Sequence, residues 1–93
     1  MSVRAKAMRA FTDEGLLPHE WSNAAGDKYG LHDHPYEKLI YCIEGGIEFE
    51  LPSEKRIVEL VAGQHLVVPP HTPHSGLVGP SGCVCVEGHR FRP

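Results

Sequence analysis

The chain has 93 residues, a formal net charge of -3, 41% hydrophobic residues and 23% charged ones. That length makes one domain without room for a second core. The nine basic residues are scattered, which argues against nucleic acid as a partner. No apolar run approaches a membrane span, and the N-terminus lacks a signal-like apolar stretch, so a cytoplasmic chain with no membrane contact is expected. A chain this short buries only about 60–65% of its unfolded surface, and a homodimer is expected as a way to bury more. Cys42, Cys83 and Cys85 are odd in number and form no CxxC pair, so reduced, buried thiols are expected rather than a disulfide framework.

In chain order, Val3 to Gly15 reads as a short amphipathic helix with Val3, Ala7, Met8 and Phe11 on one face and Gly15 near its C-cap. Residues 1–17 form this helical segment, and residues 18–93 form a β-rich unit. Strands are expected at His19–Asn23, Lys28–His34, Lys38–Ile43, Ile47–Leu51, Arg56–Leu60, His65–Val68, Ser75–Val78 and Cys83–Glu87. Gly- and Pro-containing turns separate them, among them Gly45-Gly46 and Gly79-Pro80-Ser81-Gly82. Ile47, Phe49 and Leu51 alternate with Glu48 and Glu50, the clearest period-2 pattern. Many short strands with regular turns point to an all-β sandwich or small barrel. Apolar residues on both parities of Leu39–Ile43 fit a strand covered on both sides.

His32 and His34 are two apart, so on a strand both imidazoles lean to one face. His74, from the Pro-rich stretch Pro69-Pro70-His71-Thr72-Pro73-His74, offers a third imidazole for a divalent-metal site. His71 reads as a turn residue at the rim of such a site. His19, His65 and His89 read as surface or filled-core residues, and Trp21, Tyr29 and Tyr36 as pocket or packing residues.

The spacing resembles that of the cupin superfamily. Gly26 is followed by five residues, then His32-Asp33-His34, three residues, Lys38, six residues and Gly45. Gly63 is followed by five residues, then Pro69-Pro70-His71, two residues, His74, three residues and Val78. The resemblance implies an antiparallel jelly-roll β-barrel with a metal held in its mouth by three histidines and a glutamate. Carried over by position, His32, His34 and His74 match the histidine ligands. The glutamate position is Lys38, the motif's glycine is His71 and its asparagine is Val78.

Two hairpin registers through Gly45-Gly46 are open. A two-residue loop turns Lys38 toward the metal space, while a three-residue loop with a bulge turns Glu37 inward as the fourth ligand. A lysine ammonium beside a divalent cation is repulsive, which favours Glu37. An inward Lys38 would be placed to bind a substrate carboxylate or to act in acid–base chemistry. The resemblance implies a divalent transition metal (Fe, Mn, Ni, Cu or Zn) and a small-molecule ligand. Dioxygenase, isomerase and lyase activities are all compatible, and no catalytic residue is selected. A ligand-holding or sensor domain without catalysis and a dimerising interaction module stand as the other two readings.

Overall fold

A computed structural model describes residues 2–91. It contains one helix, α1 (Val3–Asp13), and six strands: β1 (His19–Asn23), β2 (Lys28–His32), β3 (Glu37–Leu51), β4 (Arg56–Val61), β5 (His65–Val68) and β6 (His74–Arg90). A single 3-10 turn at Pro52–Glu54 joins β3 to β4.

The helix begins where Ser2 Oγ accepts the Ala5 N–H at 3.0 Å, an N-cap that satisfies one of the orphan donors of the first turn. It stops at Gly15, whose φ of +70° lets the Leu16 N–H return to the Phe11 carbonyl at 2.9 Å. Ala7 and Phe11 are fully buried, against Ile43 and Val86 on β3 and β6. Phe11 lies over Gly88, where a Cβ would come within 2.9 Å of its ring. Leu39, Tyr41 and Ile43 therefore face the helix side while Ile40 and Cys42 face the barrel interior. The two-sided apolar pattern of Leu39–Ile43 thus has an explanation within the chain.

β3 and β6 are long, and they correct the expected strand plan. Lys38–Ile43 and Ile47–Leu51 are one strand, as are Ser75–Val78 and Cys83–Glu87. Neither Gly45-Gly46 nor Gly79–Gly82 is a hairpin turn. The two strands pair antiparallel from Glu37↔Arg90 to Glu50↔Ser75, with register shifts between Cys42 and Glu44 and between Gly45 and Ile47. Gly45 has φ +68°, and a Cβ there would sit 2.0 Å from the Gly82 carbonyl oxygen. The glycines allow two backbones to touch and bend together, which is the other use of glycine in a strand.

The bend divides each long strand between two layers. The first half of β3 pairs with β5, and the second half pairs with β4. The first half of β6 pairs with β2, and the second half pairs with β1. Two four-stranded layers result, sharing β3 and β6, in a jelly-roll arrangement. Ile40, Cys42, Leu66, Val68, Cys83 and Cys85 from one layer meet Ile47, Phe49, Leu51, Leu60 and Val78 from the other. The three cysteines are free and buried, and burial pushes all three thiols above their ordinary range, as suits inert core residues. No helix among the described residues is long and apolar enough to cross a membrane.

Candidate metal centre

His32 is the last residue of β2, His34 lies just beyond it, and His74 is the first residue of β6. His32 and His74 are direct cross-strand partners. The ring centroids are 4.8 Å apart for His32 and His34, 4.3 Å for His32 and His74, and 5.4 Å for His34 and His74. One nitrogen from each ring lies within 4.8 Å of the others, and no further His, Cys, Asp or Glu among the described residues joins that group. β2 ends before His34, so His34 reaches the cluster from a loop rather than from the expected strand continuation. The His71 N–H holds that loop by donating to the His34 carbonyl at 2.6 Å. His71 has φ +57°, the left-handed conformation that the glycine of the matched motif accommodates without strain.

Backbone carbonyls orient two of the rings. His74 Nδ1 lies 2.9 Å from the Thr72 carbonyl, and His32 Nδ1 lies 2.6 Å from the Gly30 carbonyl. A carbonyl oxygen only accepts, so each Nδ1 carries the hydrogen and each Nε2 keeps its lone pair. His74 is 2% exposed, and its Nε2 is buried with no hydrogen-bond partner; His34 Nε2 is in the same condition. Leaving a buried acceptor unpaired costs about 1–3 kcal/mol. The flat stacking of His34 on Tyr36, centroids 4.7 Å apart and planes 9° apart, fixes the third ring.

The half-buried His34 and the buried His74 are both held below the usual histidine range. For His74 the main cause is burial, partly opposed by the Thr72 carbonyl and reinforced by His32 and Lys38. For His34 it is burial again, then the charge of Lys38. Near neutral pH both imidazoles are neutral, which is the ligand form. Two rings with carbonyl-fixed tautomers, His32 and His74, and two buried, unpartnered Nε2 atoms, on His34 and His74, belong to one cluster whose donor set fits a divalent transition ion.

The expected inward carboxylate needs correction. Glu37 lies on the outer face of β3 beside Leu39 and Tyr41, where Arg90 Nε donates to its carboxylate at 3.1 Å. Arg90 also reaches Glu14 at the end of α1. Both hairpin registers presupposed a turn that does not exist. In the continuous strand, alternation puts Lys38 on the face of Ile40 and Cys42, and Glu37 on the opposite one.

Lys38 and Glu87 form an ion pair at 3.4 Å and border a cavity of about 110 Å³ that also touches His32, His74, Trp21 and Phe49. Tyr29 lines it too, whereas Tyr36 packs between His34 and His89, 4.4 Å from the latter. His71 and His19 are exposed, and His65 stacks on Tyr41 outside the barrel. Glu87 escaped the sequence reading, although it shares the inward parity of Cys83 and Cys85, an uncommon place for a carboxylate.

Residues 19–81 match the family model described as the cupin domain. The chain belongs to the cupin family. The cupin barrel is also similar to an RmlC-like cupin from Shewanella frigidimarina, at 24% identity and TM-score 0.70 over 80% of this chain and 64% of that one. It resembles KdgF from Halomonas sp. at 23% identity and TM-score 0.73, over 84% of this chain and 70% of that one. It resembles the DMSP lyase DddQ from Ruegeria pomeroyi at 24% identity and TM-score 0.73, over 81% of this chain and 38% of that one. The cupin chain thus spans less than two thirds of the Shewanella protein and little over a third of DddQ. Comparison with curated proteins returns no match.

Proposed function

We propose that this cupin is a metal-dependent small-molecule protein in which His32, His34 and His74 hold a divalent transition ion. The observation that carries the reading is the buried, unpartnered His74 Nε2, whose opposite nitrogen is tied to the Thr72 carbonyl. A protein that buries an acceptor this way gains when a cation takes the lone pair. Such an ion, held by His32, His34 and His74, would supply Lewis-acid polarisation of a ligand oxygen.

The chain's own residues do the rest. Thr72 and Gly30 fix the tautomers, Tyr36 fixes the His34 ring plane, and Trp21 and Phe49 make the cavity wall apolar. His32 and His74 line the cavity, so a small molecule held in it would lie against the imidazole cluster. A neighbour with a similar barrel is named a DMSP lyase, which supports a small-molecule reading.

Metal analysis tests this. The purified protein, stripped and reconstituted with Fe(II), Mn(II), Ni(II), Cu(II) or Zn(II), is expected to retain about one ion per chain through gel filtration. His74→Ala and His32→Ala/His34→Ala are expected to retain none while keeping the β-sheet circular dichroism spectrum. Equal retention by the variants overturns the assignment. With metal bound, oxygen uptake and product analysis on a panel of small oxygenated acids, thiols and phenols separate an enzyme from a ligand-holding domain.

A further inference from the structure

The position matching the motif's glutamate is a lysine, and that changes the charge of the site. Lys38 Nζ stands 3.4 Å from the Glu87 carboxylate, with side chains 11% and 24% exposed. Glu87 is the single salt-bridge partner of Lys38 among the described residues. The two come from adjacent paired strands, with Ile40 opposite Glu87 and Lys38 opposite His89. Their charges cancel, and imidazoles that ligate a metal, being neutral, add none. A divalent ion there would keep both positive charges in a half-closed cavity whose one carboxylate is already spoken for. Desolvated, uncompensated charge is costly, so the complement of the loaded site is an anion.

Size and shape narrow that anion. The cavity, about 110 Å³, is far below the ~300–1,000 Å³ of drug-sized sites. Trp21, Ile40 and Phe49 form much of its wall, and its charged lining is the Lys38–Glu87 pair, beside His32, His74, Ser75 and Tyr29. An ammonium has three donors, and Glu87 engages one side of it.

We propose that Lys38 makes this cavity an anion site whose ligand is a compact carboxylate carrying a second oxygen. The carboxylate accepts from the Lys38 ammonium, and the other oxygen faces His32 and His74, the two imidazoles that line the cavity. Glu87 holds the ammonium in place in the unliganded protein and competes with the incoming carboxylate. Lys38 is the specificity-determining residue, and the inference rests on the metal reading above.

The test uses the Co(II)-reconstituted chain, with cobalt content measured for every sample, and two probes of nearly equal shape, glycolate and its uncharged counterpart glycolamide. Calorimetric titration is expected to show glycolate bound more tightly than glycolamide by the wild type. Lys38→Met alone would strand a carboxylate in the cavity, so the double variant Lys38→Met/Glu87→Met carries the comparison. It is expected to weaken glycolate about 10- to 100-fold, the worth of a hydrogen bond to a charged group, and to leave glycolamide unchanged. Glu87→Gln, which removes the competitor, is expected to tighten glycolate. A merely structural ion pair would move both probes in the same direction. Equal affinity of the wild type for both probes, or a charge preference that survives in the double variant, overturns the role of Lys38 while the metal reading stands. Failure of the wild type to hold cobalt overturns both.

Discussion

The imidazole of His74 connects sequence to chemistry most directly. Its Nδ1 is committed to the Thr72 carbonyl, its Nε2 is buried without a partner, and burial holds it below the ordinary histidine range. The consequence for stability has a definite sign. In the unfolded chain His34 and His74 titrate near pH 6.5; in the folded chain both titrate lower. Between those values the unfolded state binds more protons, so stability rises with pH there and is lost as pH falls from about 6.5 through the folded values. The metal-free protein is therefore expected to melt at lower temperature at pH 5 than at pH 7.5. His74→Asn should flatten that slope, and an unchanged slope would contradict the assignment. Bound metal steepens it, because protons then compete with the ion. Glu37 supplies the complementary prediction. Since its carboxylate serves Arg90 on the outer face, Glu37→Gln is expected to keep the metal content of the wild type, whereas loss of the ion would return Glu37 to the ligand set.

Among the elements, the two long strands are where sequence reading and structure part. The alternation in Ile47–Leu51 was legible because burial imposes period two on any half-covered strand, and Ile47, Phe49 and Leu51 are indeed buried while Glu48 and Glu50 are exposed. The role of Gly45-Gly46 was not legible. A glycine pair between apolar runs signals a hairpin locally, and the same pair serves a bulge when another backbone presses on it. Gly82 is that backbone, 37 positions away in the sequence numbering. Gly45→Ala is therefore expected to cost more than Gly15→Ala, although both positions have positive φ. At Gly15 nothing lies within 4 Å of a new Cβ, so only left-handed strain of about 1–2 kcal/mol applies. At Gly45 the added carbon meets a carbonyl at 2.0 Å, and overpacking adds roughly 1–3 kcal/mol. Urea denaturation of the two variants gives the comparison; equal costs would mean the β3–β6 contact relaxes freely.

For the molecule as a whole, α1 completes the fold by covering the outer face of the β3–β6 pair. Phe11 is fully buried against Ile43, Val86 and the Cα of Gly88. Phe11→Ala is expected to lower unfolding stability by about 3–5 kcal/mol, as for other buried aromatics. The triad lies on β2, β6 and the loop after β2, outside that packing cluster, so the ion should still bind to whatever fraction remains folded. Loss of metal from folded Phe11→Ala protein would show that the helix and the site are coupled.

The sequence by itself determined the elements whose signals are local: the N-terminal helix, the strands near β1, β2, β4 and β5, the alternating burial of Ile47–Leu51, and the two spaced motifs that carry His32, His34 and His74. Those motifs are legible as spacing, although His34 reaches the cluster from the loop after β2 and not through a strand's two-residue repeat. Only the tertiary structure decided that four expected strands are two, that Lys38 rather than Glu37 faces inward, and that Glu87 is its partner. Each of those depends on pairing between residues tens of positions apart, such as Ile40 with Glu87 and Gly45 with Cys83. Strand parity is relative until one contact anchors it, and here the anchor is a backbone-to-backbone approach that no window of neighbouring residues contains.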